Sequence, residues 1–372
     1  MLVSADELLL HQVPRPLSQT SITDHRFYDR HWFNAIDPSR EMGFMVGMGL
    51  YKNMNVLDGY LTVQKDRRQH NLRLSRVLRP DAGSMRVGPL EVSVIEPYRH
   101  LRLTIEENGS GLAGALDFYS DYAVHLEALH ADMVSGMITQ EVTRYDQVGS
   151  VSGWIALNGE RIDVDNWWSV RDHSWGVRPG VGGFEPLRGD HGQAVPAQLD
   201  TQIRLWLWSC LSTADYSLQM QRVEDARGRL LHMDGTLLYK PELDRPALTV
   251  TGYDHDIRFV PGTKAVESLT YRVTLSDGQV LEIEAEPALR AWAYRGTGYD
   301  RGYNDGKGLG AQRGNLAPER DEYDLSHPEI VRDPQGQEIA SGHREQPVRV
   351  RINGEPSFGH FPVMLFDTQP GM

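Results

Sequence analysis

Hydrophobic and polar positions alternate with a period of two along most of this chain, in short runs broken by turn residues. Residues 43–51 form an apolar run, and 59–64, 70–78, 85–95, 100–106 and 113–124 continue the series. Runs of this kind, separated by turn signals about every 8–12 residues, predict a β-sandwich or barrel. Asn158-Gly159, between 154–157 and 161–164, is a strong two-residue hairpin signal. Asp277-Gly278 and Asn353-Gly354 give two more. Gly43, Gly47 and Gly49 fall inside a strand pattern, where glycine marks a bulge, a bend or a close approach. One short helix is expected at 5–12. Residues 125–137 break the rhythm as a helical turn or a strand edge, and 179–198, with Asp190 and His191, read as a lid or a spacer. The segment 291–328 is too long for an idle loop and too rich in tyrosine for disorder.

At 372 residues the chain exceeds what one core usually supports, so two domains are expected, 1–165 and 166–372, with 291–328 as a functional loop of the second. A net charge of −13 argues against nucleic acid and against docking on anionic membranes. The single cysteine, Cys210, allows no intramolecular disulfide and no zinc site built on several thiolates. It lies in an apolar run, where a buried inert thiol is expected. Residues 1–12 lack a basic start, and no apolar run approaches the roughly 18 residues of a membrane helix. A cytoplasmic protein is the expectation, and a homodimer is compatible with it.

Named chemistries are mostly missing. No phosphate-binding glycine loop, no dinucleotide fingerprint, no G-x-S-x-G and no HExxH is present, so no nucleotide, other cofactor or metal is expected. His125 and His130 are five apart and do not match a helical zinc pair. What stands out is 170–178, which holds two arginines, a carboxylate, an imidazole, a hydroxyl and an indole. Asp172, His173 and Ser174 cannot act in series as a triad, because neighbours on a strand point to opposite faces. If 167–175 is extended, Trp167, Ser169, Arg171, His173 and Trp175 share one face, and Trp168, Val170, Asp172 and Ser174 share the other. The first face then forms a wall with His173 as its acid/base group and Trp175 offering an aromatic surface. Asp172 is left to brace a neighbouring strand or to pair with Arg171 or Arg178. The other reading is a buried polar network that pins two domains together.

Asp172-His173-Ser174-Trp175-Gly176 resembles the D-H-x-W-G signature of the carotenoid 1,2-hydratase (hydroxyneurosporene synthase) and AttH-like group. Chain length, strand-rich halves and a signature near the middle fit as well. With Gly302-Tyr303-Asn304-Asp305-Gly306 downstream, the chain looks like a bacterial branch of that group. The resemblance implies two consecutive lipocalin-like β-barrels, with His173 and Trp175 in the pocket. It also implies a downstream tyrosine and aspartate that deliver a proton to an alkene, and Asp215-Tyr216 lies nearby.

The expected fold is therefore all-β, two lipocalin-like antiparallel barrels packed together. The expected function is cofactor-independent acid/base chemistry (a hydratase, dehydratase, isomerase or cyclase) on an apolar isoprenoid, steroid or aromatic substrate. His173 would move the proton, assisted by Asp172 or Arg171. Trp175, Trp206 and Trp208 would line the cavity, and Tyr294, Tyr303, Asp305, Glu322 and Asp324 would complete it. The alternative is a carrier or sensor of a hydrophobic small molecule that turns nothing over.

Overall fold

The computed structural model describes residues 6, 11, 13–37, 39, 41–134, 137–183, 203–299, 302–339 and 344–365. Most of the expected helix at 5–12 and most of the loop at 179–198 lie outside these residues. The first half of the chain supplies β1 (Phe27–Ile36), β2 (Met42–Tyr51), β3 (Val56–Lys65), β4 (Arg68–Val77), β5 (Arg86–Val87) and β6 (Leu90–Glu96). It continues with β7 (His100–Ile105), β8 (Leu112–Tyr119), β9 (His125–Leu126), β10 (His130–Val134), β11 (Met137–Leu157) and β12 (Glu160–Val177). The second half opens with β13 (Ile203–Ser212), β14 (Tyr216–Asp225), β15 (Leu230–Tyr239), β16 (Leu248–Phe259), β17 (Val266–Leu275) and β18 (Val280–Pro287). Then come β19 (Trp292–Ala293), β20 (Ala317–Asp324), β21 (Val331–Arg332), β22 (Glu338–Ile339) and β23 (Arg344–Glu345). The last strands are β24 (Pro347–Ile352), β25 (Glu355–His360) and β26 (Val363–Leu365).

The fold is all-β, as the alternation predicts. Strands β13–β18, β24 and β25 close into an eight-stranded antiparallel barrel, with β25 and β14 both paired to β13. Its interior is an apolar cluster that includes Leu207, Leu218, Val273, Ile283 and Phe361. The other large sheet runs β22-β21-β20-β4-β3-β2-β1-β12-β11-β8-β7-β6-β5, all antiparallel. It curls so that β5 lies against β3 and β4. Phe33, Phe44, Leu61, Leu103, Phe118, Ile155 and Trp167 fill its concave side. Inward side chains two apart on every strand are what make a single core from so many strands.

A division at 165/166 falls inside β12, which stays in the first sheet to Val177. The segment 291–328 contains β19, a 3₁₀ turn (Tyr294–Thr297), a π-helical turn (Gly302–Gly306) and β20, which returns to pair with β4. Asn158-Gly159 and Asn353-Gly354 form two-residue hairpins, with φ of 53° and 86° in the first and 49° and 88° in the second. Positive φ at both positions is what a type I′ turn requires. At Asp277-Gly278 only the glycine has positive φ, and its N–H closes on the Leu275 carbonyl at 2.9 Å, giving a longer turn. This curled sheet, the open first barrel, meets the closed second barrel through Trp32, Val148, Trp168, Val170, Trp208, Cys210 and Trp292. Burial pushes the Cys210 thiol well up, in keeping with an inert packing role. No helix among the described residues is long and apolar enough to cross a membrane.

Gly176 has a backbone reason for its place. Its φ is +139°, and a Cβ there would sit 2.1 Å from the Glu141 carbonyl oxygen on the neighbouring strand. Gly176→Ala is therefore expected to destabilise the protein by roughly 3 kcal/mol, from strain plus backbone displacement. Urea denaturation measures this, and a loss below about 0.5 kcal/mol would contradict the geometry.

Candidate functional site

The register of three strands builds the floor of a cavity. β12 is paired with β1 on one side and β11 on the other. This sets Arg30, Ser174 and Arg144 side by side, with Trp32, Asp172 and Asp146 in the next row of the same face. Directly paired side chains on one face lie about 5 Å apart, so charges and rings are pressed together. The second barrel supplies the opposite wall with Trp206, Trp208 and Met364. Tyr294, Tyr299, Leu309 and Glu345 close the side. The cavity volume is about 680 Å³, within the range of small-molecule sites.

Aromatic surface dominates one end. Trp206 and Trp208 are two apart on β13 and so share a face; their rings lie 9° from parallel with centroids 6.4 Å apart. The Arg144 guanidinium sits 5.8 and 5.6 Å from those two centroids. At the other end Arg30 donates to the Tyr299 hydroxyl and lies 4.6 Å over its ring. Arg178 lies 5.7 Å over Tyr28 and 5.3 Å over Tyr299. Three guanidinium groups held against aromatic faces suit a planar ligand that carries an oxygen or a negative charge.

The carboxyl groups have distinct environments. Asp172 faces the cavity and makes no hydrogen bond to any described residue. Its pKa is pushed up to about 6, chiefly by burial; Arg144 and Arg30 pull it down, while Glu127 and Glu345 push it up further. Glu345 shares a hydrogen bond with His360 Nε2 at 2.7 Å and accepts another from the Tyr294 hydroxyl. Glu127 accepts from Arg144 Nε at 2.9 Å. Trp208 Nε1 is 3.1 Å from a carboxylate oxygen of Glu127 and 3.1 Å from one of Asp146. Burial and the adjacent Glu127 raise the Asp146 carboxyl well above its ordinary range, against the pull of Arg144. Two carboxyls so close hold one proton between them. Arg144 stays a cation, because Glu127, Asp146 and Asp172 together outweigh the penalty of its burial.

Of the residues expected from the sequence, Asp172, Trp206, Trp208 and Tyr294 line this cavity. Arg171, His173 and Trp175 point to the other side of the sheet, because β12 is extended and they occupy its odd positions. The cavity thus lies on the Asp172 face and not on the His173 face. Tyr303 is packed between Arg313 and Arg73, with centroid distances of 3.9 and 5.6 Å. Asp305 pairs with Arg313 at 2.9 Å, Glu322 with Arg68 at 2.7 Å, and Asp324 accepts from the Ser326 N–H at 2.8 Å. These four fasten the 291–328 segment and stand outside the cavity. Asp215 and Tyr216 lie at the start of β14 and do not line it either.

Sequence reasoning missed Tyr28, Arg30, Trp32, Glu127, Arg144, Tyr299 and Glu345, and took Arg178 only as a partner for Asp172. The first three had a signal: 25–33 is dense in rings and charge, and period-two spacing puts Tyr28, Arg30 and Trp32 on one face. Arg144 and Glu345 are charges in ordinary strand sequence and Glu127 lies just past β9, with nothing local to mark them as cavity residues.

Residues 2–351 match the model of a family described as a family of unknown function (DUF8625). Among solved structures, the fold is similar to a protein assigned to AttH from Nitrosomonas europaea, at 12% identity and a TM-score of 0.55, covering 96% of this chain and 98% of that one. Kievitone hydratase from Nectria haematococca matches at 9% identity and a TM-score of 0.47, covering 90% and 88%. CghA with Sch210972 matches at 7% identity and 0.45, covering 92% and 89%. No curated protein matches the sequence. At such identity the AttH likeness concerns the fold alone.

The carboxyl pair carries a pH signature. The native state holds a proton that unfolded Asp146 has already lost above its ordinary pKa, so stability falls as pH rises through that interval. Asp146→Asn keeps an acceptor for Trp208 and removes the titration. As pH rises above the ordinary aspartate range, urea melts of the wild type are expected to lose stability relative to Asp146→Asn, by up to about 1.4 kcal/mol per pH unit. Parallel profiles would show that the pair does not hold a proton.

Proposed function

The chain belongs to the DUF8625 family, whose function is unknown, and from its cavity we propose an acid/base enzyme in which Asp172 moves a proton to or from a partly apolar substrate. The substrate class is a planar aromatic or isoprenoid-like molecule bearing an oxygen. Hydration, dehydration, isomerisation and cyclisation all need what this cavity offers, a group that can donate and accept a proton beside an aromatic wall.

The observation that carries this reading is the state of Asp172: facing the cavity, free of hydrogen bonds to described residues, with a pKa of about 6. A carboxyl balanced near neutrality can protonate a leaving hydroxyl or an alkene carbon, and as carboxylate it can take a proton from carbon. Arg30 and Arg144 flank Ser174 in the adjoining row and favour negative charge developing on a substrate oxygen. The stacked Trp206 and Trp208 present indole faces to an electron-poor carbon skeleton. A simple carrier gains nothing from such a carboxyl, since a desolvated carboxylate without a hydrogen bond costs free energy.

Native mass spectrometry of the purified protein identifies a co-purifying aromatic or isoprenoid compound, and turnover of that compound is then followed. Asp172→Asn is expected to lower kcat by about 10²–10⁴-fold. Binding of 1-anilinonaphthalene-8-sulfonate, followed by fluorescence, is expected to stay within about threefold of wild type, and the wild-type kcat/KM profile to inflect near pH 6. Turnover within about twofold of wild type in Asp172→Asn would overturn the assignment.

A further inference from the structure

The face of β12 turned away from the cavity carries its own chain of proton-transfer groups. The register aligns His31 on β1, His173 on β12 and Tyr145 on β11 in one row, with Phe33, Arg171 and Gln147 in the next. Phe33 belongs to the core of the first barrel, so this row stands above that core, toward the barrel mouth. His173 Nε2 is 2.7 Å from Asp29 Oδ1, and His173 Nδ1 is 3.0 Å from the Tyr145 hydroxyl. With Nε2–H donated to the carboxylate, Nδ1 is left as the acceptor for the phenol proton, which is the order of groups that activates a weak nucleophile. The side chains of Asp29 and His173 are 41% and 24% exposed, so solvent reaches the row.

Two further observations separate this from a plain strand-pinning network. Arg171 is 1% exposed, donates twice to Gln147 at 2.9 and 2.7 Å and once to the Tyr145 oxygen at 3.3 Å, and has no carboxylate partner among the described residues. A buried cation without a counter-ion is costly, and here it is aimed at the one oxygen where negative charge would form on deprotonation. The surroundings are apolar and open: Tyr98 is 58% and Leu126 62% exposed, Tyr98 packs edge-on to Tyr145 at 5.7 Å, and Trp175 packs edge-on to Tyr145 at 6.4 Å.

We propose that Asp29, His173 and Tyr145 form a second acid/base centre at the mouth of the first barrel, with Tyr145 as its reacting group and Arg171 holding the phenolate, for a small aromatic ligand bearing an acidic O–H. The phenol proton passes to His173 Nδ1 as the ligand O–H gives its proton to the Tyr145 oxygen; the ligand is left as the oxyanion, the phenolate beside Arg171 is transient, and Asp29 balances the imidazolium. His31, its ring tilted 39° against that of His173 with centroids 4.1 Å apart, adds no charge, because burial first and then His173 and Arg171 lower its pKa to about 3.

Benzenesulfonyl fluoride tests the centre in the intact protein. Tyr145 oxygen bonds to sulfur, the S–F bond breaks to release fluoride, and His173 takes the phenol proton. Peptide mass spectrometry compares labelling of Tyr145 with that of Tyr98, the more exposed neighbour. Tyr145 is expected to label at least about tenfold faster than Tyr98, a rate advantage supplied by the base. His173→Gln and Asp29→Asn are each expected to remove it, while Asp172→Asn leaves it intact. Circular dichroism checks each variant, and Asp29→Asn decides if His173→Gln does not fold. Labelling of Tyr145 no faster than Tyr98, or unchanged in a folded Asp29→Asn or His173→Gln protein, overturns the proposal. Because Asp172 takes no part, failure here leaves the cavity reading standing, and the reverse holds too.

Discussion

Everything functional in this molecule hangs on one strand being buried on both faces. β12 is hydrogen-bonded to β11 along its length and to β1 over residues 168–177, so its side chains there have only two directions open to them. From Trp167 to Val177 the odd positions look into the first barrel and the even positions look toward the second. A strand in the middle of a sheet cannot rotate to share a residue between its faces, and slipping by one residue would exchange every side chain. Gly176 allows this strand to pass its neighbour at a spacing no Cβ would tolerate.

The cavity follows from closing the second barrel against the even face. Leu and Val pairs would have filled that interface at lower cost, yet the rows hold Arg30, Arg144, Asp172 and Asp146. Each charge is offset locally: Arg144 by Glu127, Asp146 by a retained proton, Arg30 by Tyr299. Asp172 alone is left without a hydrogen bond to a described residue, and the surrounding desolvation moves its titration toward neutrality. The same sheet has a second set of polar groups on its other side, screened from the first by the thickness of the backbone. Two chemically separate environments can therefore share one strand without sharing protons.

The segment between β18 and β24 binds the two halves together. It leaves the second barrel, passes Tyr294 and Tyr299 over the cavity, and then lays β20 along β4 of the first sheet. Buried Arg73 holds it through Asp321 and Glu319, and Asp58 accepts from the Gly310 N–H at 2.8 Å. Tyr303, Asp305, Glu322 and Asp324 serve this fastening. Their polar density in the sequence reflects the demands of a long connection crossing from one sheet to another.

The sequence by itself determined the all-β class, the positions of the Asn-Gly hairpins and the extended, two-faced character of 167–175. These depend on local backbone preference and on a period of two, both of which are written in neighbouring residues. It also isolated Asp172, Trp206, Trp208 and Tyr294 by type. Only the tertiary structure decided which face of β12 meets the cavity, because that depends on where the second barrel docks. Only the tertiary structure brought in Glu127, Arg144 and Glu345, residues from separate strands and loops whose local sequence is unexceptional. Strand alternation fixes that two faces exist and which residues share each; the identity of what packs against a face is a long-range contact, and no local pattern encodes it.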